Sequence, residues 1–301
     1  MLQSIAAWLF VIIWSSGFVV ARGITDLIDP YLFLLVRFSC VTAIFALAMV
    51  LLRTPIPGRT QVWQLMISGA FMQGLYLGPG FWAVSQGLEA GVMALMGSMQ
   101  PPITAIFAWY LFKERVTRLA ILGLCIGLIG VTMAIAPDLL SDSASTSEIT
   151  PENNIAFQWV LLAAVLSIGA ITTGTLLQKT SIVSVPLLSS VTFQTLGAVL
   201  VMLMMAAVFA KPVFPATAQA AGYLIWAVFV LSIGGFTLLT WLVRSGSATR
   251  ASSLLFIVPP LAALLSWTLY GEALGAWQIA GFFVALAGVI LARRQPPPQA
   301  S

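Results

Sequence analysis

The stretch from Pro101 to Val131, PPITAIFAWYLFKERVTRLAILGLCIGLIGV, recurs from Pro259 to Val289 as PPLAALLSWTLYGEALGAWQIAGFFVALAGV. At a constant offset of 158 residues, Pro101 falls on Pro259, Pro102 on Pro260, Ala105 on Ala263, Trp109 on Trp267, Leu111 on Leu269 and Glu114 on Glu272. Further along, Gly123 meets Gly281 and Gly130 meets Gly288. An ungapped correspondence of a Pro-Pro pair, a Trp, a Glu and two glycines marks the chain as two related halves, so any fold it adopts must be built from one unit used twice.

The solvent of that unit is set by composition: 60% of the residues are apolar and 7% charged, where a soluble domain carries roughly 25% charged residues. Ten apolar segments are legible: Ile5–Ala21, Tyr31–Leu52, Val62–Phe81, Gly91–Leu111, Leu119–Ala136, Ala156–Gln178, Val185–Ala207, Ala220–Val243, Ala251–Leu269 and Trp277–Ala292. At 1.5 Å per residue such segments match a hydrocarbon core of ~30 Å. The reading is an all-α integral membrane protein with ten transmembrane helices, five in each half. The first segment has no basic flank before it and is followed by Arg22 rather than a small-residue cleavage site, as expected for a retained helix. Cys40 and Cys125 fall inside apolar segments, where a thiol behaves as a small hydrophobe, and imply no disulfide framework.

The halves are residues 1–136 and 156–294, joined by the polar linker 137–155 and followed by a proline-rich tail, 295–301, expected to be disordered. Lys and Arg set the orientation. With a cytoplasmic N-terminus, ten of the 13 basic residues lie in inside connections, Arg22 and Lys211 lie outside, and Arg37 lies within a segment. That bias places both termini in the cytoplasm. An odd number of helices per half then inverts the second half relative to the first, the pattern by which secondary transporters obtain two gates from one design. The basic residues are scattered rather than clustered, so the excess of +4 reads as topology and not as nucleic-acid binding.

The WSSGFVVAR that ends the first segment is followed by PYLFLLVRF, and then by the twice-occurring order of proline, Glu and a glycine-rich helix ending in GV. Together these resemble the EamA-type transporters of the drug/metabolite transporter superfamily, over nearly the whole chain. The resemblance implies two inverted five-helix repeats in a bacterial cytoplasmic (inner) membrane, export of small metabolites such as amino acids, and no bound cofactor. Drugs, sugar phosphates and other metabolites remain alternative cargoes. The expected partners are a small-molecule substrate and the lipid bilayer, with a monomer as the working unit. An enzyme is not expected, since the chain has no His, no HExxH or paired-Asp motif and no carboxylate deep in a span, and no metal site is expected either. No sequence resembling a selectivity filter argues for a channel.

Candidate site residues follow from where polar groups fall within apolar segments. Arg37 is a full charge inside the second segment, which makes it a candidate for a substrate carboxylate. It is also about six residues, or ~9 Å, from the outer end of its span, where a long side chain can snorkel or bond carbonyls. Trp14, Ser15, Gln73, Tyr76, Ser98, Gln100, Thr172, Thr173, Trp241 and Ser252, with Ser16, are polar or aromatic groups at mid-depth that suit a small-solute site. Pro101 and Pro259 are expected to interrupt and kink the fourth and ninth helices and so point to the pathway. Glu114 and Glu272 follow the Pro-Pro pairs by 12 residues and read either as matched gates or as acidic residues favouring the N-terminal ends of the helices that follow. Gly123, Gly127 and Gly130 present a small-residue face for close packing within the chain.

Overall fold

The computed structural model describes residues 2–112, 118–140, 157–181, 185–235, 238, 258–272 and 274–292, and every regular element among them is helical. The first half contains α1 (Leu2–Gly23), α2 (Pro30–Leu51), α3 (Arg59–Gly69), a π-helical segment (Ala70–Leu75), α4 (Tyr76–Ser85), α5 (Ala90–Gly97), α6 (Gln100–Phe112) and α7 (Arg118–Leu140). The second contains α8 (Phe157–Ser181), α9 (Leu187–Phe209), α10 (Ala218–Ile225), a second π-helical segment (Trp226–Gly234), α11 (Val258–Tyr270) and α12 (Ala276–Ala292). Among the described residues, four stretches are long and apolar enough to cross a bilayer, Pro30–Leu51, Ala90–Leu111 (which spans α5 and α6), Phe157–Leu177 and Leu187–Phe209, and the other apolar helices are shorter.

Local chemistry explains the boundaries. Asp29 caps α2, its Oδ1 accepting from the N–H groups of Tyr31 (2.9 Å) and Leu32 (3.1 Å), with Pro30 at the first helical position. Gly87 turns the chain between α4 and α5 at φ +101°, a conformation that side chains other than glycine rarely adopt. The π segment Ala70–Leu75 leads into a helix containing Pro79, whose missing N–H leaves the Leu75 carbonyl without its i+4 donor. Ser167 of α8 donates to the neighbouring Tyr76 carbonyl at 2.6 Å and ties α8 to this turn.

The kink expected at Pro101 is a break just ahead of it. Helix α5 stops at Gly97 and α6 starts at Gln100, which puts Pro101 and Pro102 in the first turn of a new helix. The first four N–H groups of a helix have no intrahelical acceptor, so proline costs nothing there and the interruption falls on Ser98 and Met99. Its repeat counterpart Pro259 is buried in α11, whose described residues begin at Val258.

Repeat-related helices meet antiparallel. Close to the start of α2, the Asp29 N–H reaches the Val213 carbonyl beyond the end of α9, while beyond the other end of α2 the Pro55 carbonyl accepts from Ser189 near the start of α9. Helices α7 and α12 form the most extensive helix pair, backbone against backbone. A Cβ on Gly130 would enter the Ala285 backbone, one on Gly281 would meet Ala134, and one on Gly288 would meet Gly127 and the Gly123 carbonyl. The small-residue face predicted on α7 thus packs against its own repeat mate, by the close approach that replaces hydrophobic driving force in a bilayer. Large apolar side chains such as Trp159, Val165, Leu166, Phe229 and Phe283 point outward and are exposed, as befits a protein whose surroundings are lipid.

Candidate functional site

Both π segments reach the same cavity. It has a volume of about 120 Å³ and is bounded by α1, α2, α8 and the two interrupted helices, with aromatic walls from Trp14, Phe18, Tyr76 and Phe81 and apolar ones from Leu77, Met93, Ile171 and Leu231. The volume is somewhat below that of the ~150 Å³ apolar cavity known to take up benzene. Two polar groups face this wall from the first half and one from the second: Arg37 on α2, Gln73 in the first π segment and Ser232 in the second.

Arg37 is 7% exposed, so it does not snorkel to the surface. Its Nε donates to Ser232 Oγ at 3.0 Å, and its guanidinium carbon stands 5.4 Å from the centroid of the Phe38 ring. No carboxylate pairs with it among the described residues, where the ion pairs are those of Arg22. Gln73 is 6% exposed and its Nε2 is buried without a hydrogen-bond partner. A buried, unsatisfied donor costs about 1–3 kcal/mol, so the cavity holds a buried cation and an orphan amide, each with donors left over.

The structure sorts the other sequence-selected residues into three groups. Trp14 and Tyr76 line the cavity with Arg37 and Gln73. Ser15, Ser98, Gln100, Thr172 and Thr173 do not. Ser15 is fully buried and bonds back to the Val11 carbonyl (2.8 Å), Ser98 bonds the Leu95 carbonyl (2.6 Å), and Thr173 is exposed with its hydroxyl on the Gly169 carbonyl (2.9 Å). Gln100 ties α6 to α8, donating to Thr104 (3.1 Å) and Thr175 (3.2 Å), and Thr172 is buried next to Ile171 with its Oγ1 unpartnered. Pro101 lies in the first turn of α6, and Pro259, buried in α11, is not among the residues that line the cavity. Trp241, Ser252 and Glu114 lie outside the described residues. Ser16, also at mid-depth, holds the second π segment by accepting from Trp226 Nε1 at 3.0 Å.

Ser232 escaped the sequence reading, although the offset of 158 places it opposite Gly74, next to Gln73. The π segments themselves coincide under the same register, since Ala70–Leu75 maps within Trp226–Gly234. π-Helical turns occur often at functional sites. Here they put the irregular part of each half at the shared cavity.

A second cluster closes one end of the bundle. Arg22 at the end of α1 pairs with Glu272 beyond the end of α11, Nε to Oε1 at 2.5 Å, and its guanidinium carbon lies 5.7 Å from the Tyr270 ring centroid. Tyr270 meets Tyr223 of α10 hydroxyl to hydroxyl at 3.1 Å, and Gln278 of α12 donates to Glu89, just before α5, at 3.1 Å. Each bond either joins one half to the other or braces the second half against itself. At the start of α12 the Gln278 Oε1 accepts from the Gly275 N–H at 2.7 Å. Glu272 spends its charge on Arg22, 250 residues away.

Comparison with known proteins agrees with this architecture. The sequence model of the EamA-like transporter family matches residues 1–136 and again 157–294. A chloroplastic WAT1-related protein of Arabidopsis thaliana is 23% identical over 92% of this chain, which spans 66% of that protein's length. An uncharacterized transporter of Synechocystis sp. is 24% identical over 93% of this chain and 86% of its own. A probable amino-acid metabolite efflux pump of Salmonella typhimurium is 25% identical over 95% and 92%. A solved crystal structure superposes with a TM-score of 0.64 over 97% of this chain and 96% of its own at 16% identity, which shows a shared fold.

Proposed function

The chain belongs to the EamA-like transporter family, and from that premise we propose that it is a secondary carrier moving small metabolites, amino acids or related compounds, out across a bacterial cytoplasmic membrane by alternating access. The observation that carries this reading is the small cavity to which both halves contribute an interrupted helix. Binding at the seam of two repeats is how such carriers expose one site to either side. Amino-acid export is favoured by the name of the Salmonella relative, which aligns over nearly all of both chains.

Ten crossings follow if each interrupted helix counts once and the ninth begins before α11. The antiparallel meeting of α2 with α9 and of α7 with α12 is the geometry that an inverted repeat requires, and the charge bias puts the Arg22–Glu272 end outside. Surface labelling checks that orientation in a variant without Cys40 and Cys125. Ser145→Cys should react with an impermeant thiol reagent from outside only and Pro297→Cys from inside only; reaction of both from one side rules out the inverted arrangement.

Transport itself is tested in proteoliposomes. Vesicles loaded with unlabelled leucine should transiently accumulate external labelled leucine above equilibrium, with a rate that saturates. Flux without counterflow or saturation across a panel of amino acids and their keto and hydroxy acids would mean a pore, and absence of protein-dependent flux across that panel would reject this cargo class.

A further inference from the structure

We infer that the cavity selects a monoanionic carboxylate on a compact apolar body, with the carboxylate taken by the Arg37 guanidinium and the Gln73 amide N–H groups. The inference rests on the carrier reading of this same cavity and goes further by fixing the charge of the cargo.

Charge counting leads to it. The described lining contains one cation, Arg37, and no Asp or Glu. In a low-dielectric enclosure an uncompensated charge is expensive, so the preferred occupant returns the site to neutrality. A monoanion does so. A zwitterionic amino acid leaves the site at net +1, and its ammonium finds ring faces but no carboxylate. A phosphate dianion overshoots to −1. A neutral amine brings no acceptor charge at all.

Hydrogen bonding agrees with the count. Ser232 occupies the Arg37 Nε at 3.0 Å, which leaves both terminal nitrogens of the guanidinium for a ligand. The orphan Gln73 Nε2 is a second donor on the same wall. A guanidinium and an unpartnered amide N–H group on one wall suit a carboxylate, which accepts only. The rest of the wall, Trp14, Phe18, Phe81 and Leu231 among it, suits an aliphatic or small aromatic body, and the volume of about 120 Å³ limits that body to roughly the size of a leucine side chain. Keto acids, hydroxy acids and N-acylated small amino acids fit this description better than free amino acids.

The test is binding to the purified full-length protein in detergent, read as thermal stabilisation against ligand concentration. The probes share one body and differ in charge: 4-methyl-2-oxopentanoate, L-leucine and L-leucinamide, with inorganic phosphate as a second anion. The keto acid should bind at least about tenfold more tightly than L-leucine, and L-leucinamide and phosphate should give no saturable shift. Arg37→Gln and Gln73→Leu should each weaken the keto acid by at least about tenfold, on the scale of lost hydrogen bonds to a charged group. Gln73→Leu removes a buried unsatisfied group, so it keeps the test alive if Arg37→Gln does not fold. Equal or tighter binding of L-leucine, a saturable phosphate shift, keto-acid binding unchanged in Gln73→Leu, or no binding of the keto acid overturns the inference. Keto-acid binding without counterflow would strike the carrier reading and leave this one intact.

Discussion

Glu272→Gln should raise the rate at which an impermeant thiol reagent, added from outside, reaches a cysteine placed at Phe18 in the cavity wall. If the Arg22–Glu272 pair latches the outer end of the bundle shut, removing its charge lowers the cost of opening that end. The pair is neither fully exposed nor fully buried, with side chains 30% and 17% exposed, so its loss falls between the exposed and buried limits, at about 1–3 kcal/mol. A shift of 1.4 kcal/mol is a factor of ten in a two-state equilibrium, and about a tenfold faster labelling rate is expected. Arg22→Gln should do at least as much, because Glu272 Oε2 is already buried without a partner and the whole carboxylate would then be stranded. The charge exchange Arg22→Glu with Glu272→Arg should restore slow labelling. Unchanged labelling in both single variants, or no restoration in the exchanged pair, would reduce this contact to a static brace. The same variants should slow net export, since a carrier that rests open to one side turns over poorly.

Gly288→Val should abolish most of the folded yield, and Gly169→Ala should not lower it. At Gly288 a new Cβ meets the Gly127 nitrogen and the Gly123 carbonyl of α7, backbone atoms that cannot rotate aside, so α12 must move away from its partner. Overpacking of this kind costs 1–3 kcal/mol where side chains can yield, and more than about 3 kcal/mol is expected where only backbone can. Gly169 has nothing within 4 Å of its Cβ position, and alanine there gains helix propensity of about 1 kcal/mol. The measurement is the monodisperse fraction after size exclusion together with the melting temperature in detergent. Equal values for the two variants would show that α7 and α12 are not held at backbone contact.

The amino-acid sequence by itself determined the solvent, the repeat and the helical fold class, because these depend on quantities that add along the chain. Apolar run length is one such quantity, and the offset that pairs Pro101 with Pro259 and Gly130 with Gly288 is another. It also marked Arg37, since a charge within an apolar segment is conspicuous wherever that segment packs, and Gln73, Trp14 and Tyr76 were legible on similar grounds. The tertiary structure decided which of the polar residues converge. Ser15, Thr173 and Gln100 have the same chemistry as their cavity-facing counterparts, but a rotation around the helix sends them to a carbonyl, to the lipid face or to a neighbouring helix. A π segment is a slip of hydrogen-bond register that composition does not encode, and it is seen only once the helices are packed. The partners that matter most, Arg37 with Ser232 and Arg22 with Glu272, are 195 and 250 residues apart. Such pairs are chosen by how the two halves pack, because only packing brings together groups that the chain itself keeps remote.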